Sequence, residues 1–252
     1  MEFLSKSRIK YIQSLQHRKF RLKYDKFTVE GLKISLELIR DNPHVIDELY
    51  VSDANAFDIL QASSEKVRVV RIPEGDMARI SQMTTPPGVM ALCHLPATPT
   101  IPASLSGMRC LYLDSIRDPG NLGTILRIAD WFGLDQVFVS PECADRYNPK
   151  VLQAAMGSAF RVPVCPMDRE RLLRVDDVLC YVCDAGGTDI RDMAPPDEGI
   201  FIFGNESQGV SEEIRQGIPN VVGITRDRSL GAESLNVSVA VAVISAWWTG
   251  AV

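Results

Sequence analysis

The chain has no apolar run long enough to cross a bilayer. Over 252 residues the longest, Val237 to Trp248, is interrupted by Ser238 and Ser245 and falls short of the roughly 20 residues that a spanning helix needs. The opening Met-Glu-Phe-Leu-Ser-Lys also lacks the apolar stretch of a signal peptide, so a cytoplasmic location with no membrane partner is expected. Histidine is scarce. His17, His44 and His94 stand apart from one another and from Cys180-Tyr-Val-Cys183, which leaves a zinc ion two ligands short, and no metal is expected. The six cysteines, at 93, 110, 143, 165, 180 and 183, follow strand-like contexts rather than a disulfide framework and read as reduced core thiols. Low-complexity segments and internal repeats are missing, and an apolar fraction of 46% with 23% charged residues describes an ordinary folded chain. Its length suits two domains.

An excess of positive charge is missing too, since the net charge is −5, and this argues against nucleic acid until it is divided by position. Residues 1–40 carry ten Lys or Arg against four acids, a local charge of +6, which leaves −11 for the remainder. The segment from Lys6 to Lys23 sets these cations among Tyr11 and Phe20, as a surface that follows phosphates and stacks on bases would. A solvated amphipathic helix face has the same composition.

Periodicity gives the organisation. Residues 4–16 place Leu4, Ile9, Ile12 and Leu15 near helical spacing, and Val29 to Ile39 repeats the pattern, so both predict helices. Strands are expected over 45–51, 67–72 and 89–95, with a helix over 54–62. This gives an N-terminal α/β domain over 1–95. The proline-bearing stretch at 96–106 reads as a linker. From 107 to 252 apolar strands at 110–114, 136–139, 161–165, 178–184, 199–203 and 220–224 alternate with helices at 123–132, 149–156, 211–216 and 234–248. That rhythm predicts a mostly parallel sheet covered on both faces, with ligands at the carboxyl ends of its strands.

Three clusters in this second domain join an apolar element to a turn rich in Gly, Asn and Ser: Asp118 to Arg127, Phe203 to Gly209, and Ser234 to Ser238. The first follows a strand and precedes a helix, yet its Gly120 and Gly123 do not make a G-x-G-x-x-G, and no Lys-Ser or Lys-Thr follows as in a triphosphate loop. Asn121 at the helix start and Arg127 six residues on are candidates to converge on an anionic group. Helix cap plus surface charge is the alternative. Glu206 is the only carboxylate in the second turn, suited to orienting an Arg or accepting from a hydroxyl, and equally to compensating a helix dipole. Ser211 is a candidate cap for the helix that follows, and Ser234 for the last helix, with Asn236 and Ser238 on its first turn.

Taken in order, Asn121-x-Gly-x-x-x-Arg127, Gly204-Asn-Glu206 and Ser234-Leu-Asn-Val-Ser238 resemble the three motifs of the SpoU/TrmH branch of the SPOUT methyltransferases. Asn148-Pro-Lys-Val and Met156 to Pro163 extend the likeness to nearly all of 107–252. The resemblance implies an α/β domain with a C-terminal trefoil knot that binds S-adenosylmethionine, forms a homodimer and methylates a ribose 2′-hydroxyl of RNA. It makes Arg127 the residue that activates the hydroxyl, with Asn121 beside it. Glu206 supports the arginine, and Ser234 and Asn236 are the polar pair of the third motif. Backbone groups near Phe203, Gly204, Ile224 and Leu235 are expected to hold the cofactor. The stretch 225–233 looks longer and more charged than in relatives. The N-terminal domain, through Ser5 to Leu15 and Phe27 to Gly31, resembles the ribosomal-protein-like RNA-binding extension of rRNA-modifying members, which favours rRNA as substrate. A tRNA methyltransferase and a non-catalytic RNA-binding or ribosome-assembly module are the alternatives.

Overall fold

The computed structural model describes residues 1–63, 67–225 and 234–251. The chain forms two compact units, residues 1–97 with 147–160, and residues 98–146 with 161–252.

In the first unit Ser5 accepts a hydrogen bond from the Arg8 N–H and starts α1 (Lys6–Ser14). Helix α2 (Arg18–Tyr24) ends where Asp25 adopts a left-handed φ of 53°. The elements that follow are β1 (Lys26–Glu30), α3 (Leu32–Asp41), β2 (Ile46–Val51), α4 (Ala54–Ser63), β3 (Arg68–Arg71), α5 (Glu74–Ile80) and β4 (Val89–His94). The sheet order is β1-β4-β2-β3, with β4 antiparallel to both neighbours and β3 parallel to β2. Ile9, Ile12 and Leu15 lie three residues apart and enter one core with Tyr50, Ile72, Met77, Met90 and Leu92. Each such side chain contributes about 1.5–3 kcal/mol when taken from water. Val29, expected to open a helix, sits inside β1, because Phe27-Thr-Val29 pairs with Ala91 to Cys93 and the chain turns only at Gly31. Neither α2 nor α5 is visible in the periodicity, since seven residues hold too few turns to show it.

The second unit is built from β5 (Arg109–Leu113), α6 (Pro119–Trp131) and β6 (Gln136–Val139). The chain then supplies α7 (Pro149–Ala155) and the start of α8 (Ser158–Arg161) to the first unit. There Phe27 meets the rings of Tyr147 at 4.8 Å and Phe160 at 5.9 Å, and α7 packs on β1. The sequence had these residues in the C-terminal domain; aromatic packing groups them otherwise. The chain returns as β7 (Val164–Pro166), α9 (Arg169–Leu172), β8 (Cys180–Asp189), β9 (Gly199–Phe203), α10 (Glu212–Gly217), β10 (Val221–Gly223) and α11 (Val237–Trp248). Every pairing in its sheet, order β10-β8-β9-β5-β6-β7, is parallel. Strand β9, Gly-Ile-Phe-Ile-Phe, is buried at every position, as a strand covered on both faces must be. Trp248 packs against Phe201 at a tilt of 54° with ring centres 4.4 Å apart, and donates its indole N–H to the Pro196 carbonyl.

The segment expected as a linker is fixed to this unit. Cys165 Sγ donates to the Pro99 carbonyl, Asp177 accepts from the Ser104 hydroxyl and the Leu105 N–H, and Leu105 is buried. Cys180 and Cys183, three residues apart on β8, project to opposite faces and cannot chelate together. Burial pushes the Cys180 thiol up to about 11 and raises that of Cys183 well above its ordinary value. Among the described residues no His, Cys, Asp and Glu gather as a metal site would require.

Candidate active site

Because the sheet of the second unit is all parallel, the carboxyl ends of β5, β9 and β10 lie on one side of it; the first two Gly/Asn/Ser clusters follow β5 and β9, and the third leads into α11. Asp118 caps α6, accepting from the Asn121 N–H at 2.8 Å, with Pro119 at the first helical position. Thus Asn121 lies in the first turn of the helix, its main chain satisfied and its side chain released. Its Nδ2 donates to Glu206 Oε1, and its Oδ1 accepts from Asn236 Nδ2 at 3.0 Å. One amide of the first cluster therefore ties the second and third together. Asn236 in turn caps α11, its Oδ1 accepting from the Ser238 N–H at 2.9 Å and the Ser238 hydroxyl at 2.6 Å. Reversing either amide would set donor against donor.

The Glu206 turn is held from below. Asn205 and Gly209 exchange backbone hydrogen bonds of 3.0 and 2.8 Å. The Asn205 Oδ1 accepts from the Ser207 N–H and hydroxyl, while its Nδ2 donates to the Ser115 carbonyl at 3.1 Å. A Cβ at Gly204 would stand 2.1 Å from the Gly209 and Val210 backbone, so glycine is required where the chain folds back on itself. Asp114, 1% exposed at the end of β5, accepts from the Ser211 N–H at 2.7 Å and from the Arg169 guanidinium at 3.1 Å. It couples the β5 end to the start of α10. Asp114, Arg169 and Asn205 escape sequence reasoning. The available signal is the strand Cys110 to Asp114 itself, an apolar run that ends on a carboxylate with no solvent to face.

The remaining expected residues divide. Arg127 is exposed and makes no ion pair or hydrogen bond, to Asn121 or to any other side chain, among the described residues. Six residues on an α-helix separate side chains by about 120° and about 9 Å, and the partner of Glu206 is Asn121 instead. Ser234 does not cap α11. Asn236 does, because the helix begins at Val237, and Ser234 and Leu235 precede it exposed. Ser211 stands at the cap of α10, but through its N–H to Asp114 rather than its hydroxyl. Phe203 is buried and its carbonyl accepts from the Asp114 N–H at 2.8 Å. Gly204 and Ile224 are half-buried. The charged loop, from residue 226 to 233, lies outside the described residues.

The strand ends have the chemistry that S-adenosylmethionine requires. β10 ends on Gly223, where a Cβ would meet the Asp184 carbonyl at 2.3 Å, and β9 is followed by Gly204, so glycine rather than a bulky side chain stands at or just after both strand ends. Ile224 and the half-exposed Leu235 supply apolar surface of the kind an adenine ring seeks, and Glu206 supplies a carboxylate complementary to a sulfonium. These residues fit the cofactor.

The SpoU rRNA methylase family matches residues 108–246, and the MRM3-like substrate binding domain matches residues 6–91. The chain is similar to the Bacillus subtilis 23S rRNA (guanosine(2553)-2′-O)-methyltransferase RlmP, 30% identical over 97% of this chain and 96% of that protein. The solved structure of a TrmH-family protein from Porphyromonas gingivalis superposes with a TM-score of 0.83 at 35% identity, covering 97% of this chain and 98% of that one. The AdoMet-bound rRNA methyltransferase of Sinorhizobium meliloti, 24% identical over 99% of this chain and 98% of its own, shares the fold with a TM-score of 0.83. A family match over more than half of the chain, spanning the same segments that the Asn121 amide ties together, makes this protein a member of the SpoU rRNA methylase family.

Proposed function

We propose that this protein methylates a ribose 2′-hydroxyl of rRNA with S-adenosylmethionine, acting as a cytoplasmic homodimer. The observation that carries the reading is the Asn121 amide, which joins Glu206 and Asn236 across 85 and 115 residues of sequence at the ligand-binding edge of a parallel sheet. The identity with RlmP along nearly the full chain supports rRNA as the substrate, and the N-terminal match to a substrate binding domain supports RNA capture by the first unit.

S-adenosylmethionine, when bound, supplies an electrophilic methyl group on a sulfonium. The chain supplies position. Glu206 is held through Oε1, and its Oε2, unpartnered among the described residues, is left to accept from a ribose hydroxyl. The exposed Arg127 guanidinium presents a planar fork of N–H donors, and it acts by holding an RNA phosphate and by favouring negative charge on the hydroxyl oxygen. Fixing the nucleophile in line accounts for more of the rate than proton removal, since orientation alone is worth up to about 7–11 kcal/mol.

The dimer is supported by an apolar stripe on α11. Val239 and Val243, with Leu235 just before the helix, are spaced by four and are 48%, 38% and 49% exposed, and on α6, which packs against α11, Trp131 is 83% exposed. A face of this kind at one site marks an interface. The trefoil knot belongs to the same reading, and it is supported by a chain that places β10 at one sheet edge and brings α11 back against α6. The cytoplasmic location suits six unpaired cysteines.

Incubation with 23S rRNA and methyl-labelled cofactor tests the function. Label on a ribose, resistant to alkaline hydrolysis at the following phosphodiester, supports it. Label on a base, on tRNA alone, or on no RNA refutes it.

A further inference from the structure

Between Lys6 and Tyr24 the chain has seven Lys or Arg and no acid. Two are engaged within the fold: Arg21 is buried and donates to the Leu15 and Gln16 carbonyls at 2.8 Å, and Arg8 is bonded to Glu48 and Tyr50. The other five, Lys6, Lys10, Arg18, Lys19 and Lys23, are exposed, and none pairs with a carboxylate among the described residues. In a chain of net charge −5, a strip of unneutralised cations has no use in holding the fold.

Aromatic rings run through the same strip. Phe20 and Tyr24, one turn apart on α2, are nearly parallel at 12° with centroids 6.2 Å apart. Tyr11 on α1 meets Tyr24 edge-on at 5.0 Å, and His17 leans on Phe20 at 6.4 Å. The ammonium of Lys19 lies 4.8 Å from the Phe20 ring centre and that of Lys23 5.2 Å from the Tyr24 ring. The core of this unit takes Ile9, Ile12 and Leu15 from the helical pair, and neither Phe20 nor Tyr24. A ladder of rings left outside the core, each step flanked by a cation, is a surface made for a planar, anionic polymer.

We propose that the α1–α2 surface binds unpaired RNA, with bases stacking on the Phe20–Tyr24 ladder and phosphates held by Arg18, Lys19 and Lys23. This rests on the reading of the protein as an rRNA methyltransferase and adds to it the form of RNA that the first unit grips. The rings decide between strands and duplex. In an A-form helix the base faces are already stacked on one another, so a duplex engages only the cations, whereas an unpaired run engages both.

Fluorescence anisotropy with the full-length protein, using a labelled oligouridylate of about a dozen nucleotides and an RNA duplex of similar length, tests this. The single strand is expected to bind more tightly. Phe20→Ala with Tyr24→Ala is expected to weaken the strand at least tenfold, leaving the duplex within about twofold and the salt slope intact. Lys19→Ala with Lys23→Ala is expected to flatten the log–log salt slope for the strand by about 1.4. Tyr24→Phe keeps the ring and is expected to bind as wild type, which separates lost stacking from lost folding. Equal or better binding of the duplex, strand affinity unmoved by loss of both rings, or binding of neither RNA with capture of an acidic protein instead, overturns the proposal. Methyl transfer to 23S rRNA by the wild type is read in parallel. Transfer without a ladder effect removes the ladder alone, and a ladder effect without transfer removes the enzymatic reading alone.

Discussion

Replacing Asn121 with alanine deletes the amide that holds Glu206 and Asn236 together. Two hydrogen bonds are lost, one to a carboxylate and one between neutral amides. Buried, these would be worth about 1.5–3 and 0.5–1.5 kcal/mol. Asn121 is only half-buried, however, and Glu206 and Asn236 are exposed, so water replaces each lost partner and the cost in stability stays near about 1 kcal/mol. For a chain of this length that is a fall in Tm of about 2–4 °C. Activity responds differently. Without the amide the Glu206 turn and the start of α11 are no longer fixed to α6, and misplacement by about 1 Å costs about 100-fold, or close to 2.7 kcal/mol of barrier. Initial rates of methyl transfer to 23S rRNA, taken with a thermal melt, separate the two effects. The expected result is kcat/KM down by about 100-fold with Tm down by no more than about 4 °C. A rate within twofold of wild type refutes the reasoning. So does a melting temperature that falls by about 10 °C or more, since the amide would then be holding the fold rather than the site. Asn121→Asp is the sharper variant, because it sets a second carboxylate against Glu206 and adds repulsion to the lost donor.

Arg127→Ala is expected to lower methyl transfer by about 100-fold or more while calorimetry shows unchanged cofactor affinity, and Arg127→Lys to recover part of the rate; full activity in the alanine variant would remove its role. Val239→Asp with Val243→Asp places two charges on the exposed stripe of α11 and is expected to convert a dimer into a monomer by light scattering, and a wild-type monomer would refute the interface. Stability is expected to fall in alkali. Burial raises the Cys110 thiol to about 12 and the Cys180 thiol to about 11 from an ordinary value near 9, so both favour the folded state fully below pH 9 and lose that contribution as pH climbs through their folded values. Urea midpoints at pH 8 and at about pH 10.5 measure the slope, which Cys110→Ala with Cys180→Ala should flatten; an unchanged slope in that variant contradicts the assignment.

The sequence by itself determined a good deal of this protein. Alternating apolar strands and helices beyond residue 107 specified the parallel sheet, because a strand covered on both faces must be apolar throughout, and β6 and β9 have the expected limits. The three Gly/Asn/Ser clusters were legible because turns at strand ends need residues with small side chains or capping groups. Much of the rest came only with tertiary structure. Nothing local in Asn121 says whether its side chain caps a helix, points at Arg127 or reaches two distant segments; the packing of α11 on α6 and the adjacency of β9 to β5 decide that it meets Glu206 and Asn236. Asp114 was hidden for the same reason, since a carboxylate is worth burying only where Arg169 and the Ser211 N–H arrive from elsewhere in the chain. Val29 moved from helix to strand because its pairing with Ala91 outweighs the helical spacing of its neighbours. Composition and periodicity fix which elements exist; partners remote in sequence fix which side chains are free to act.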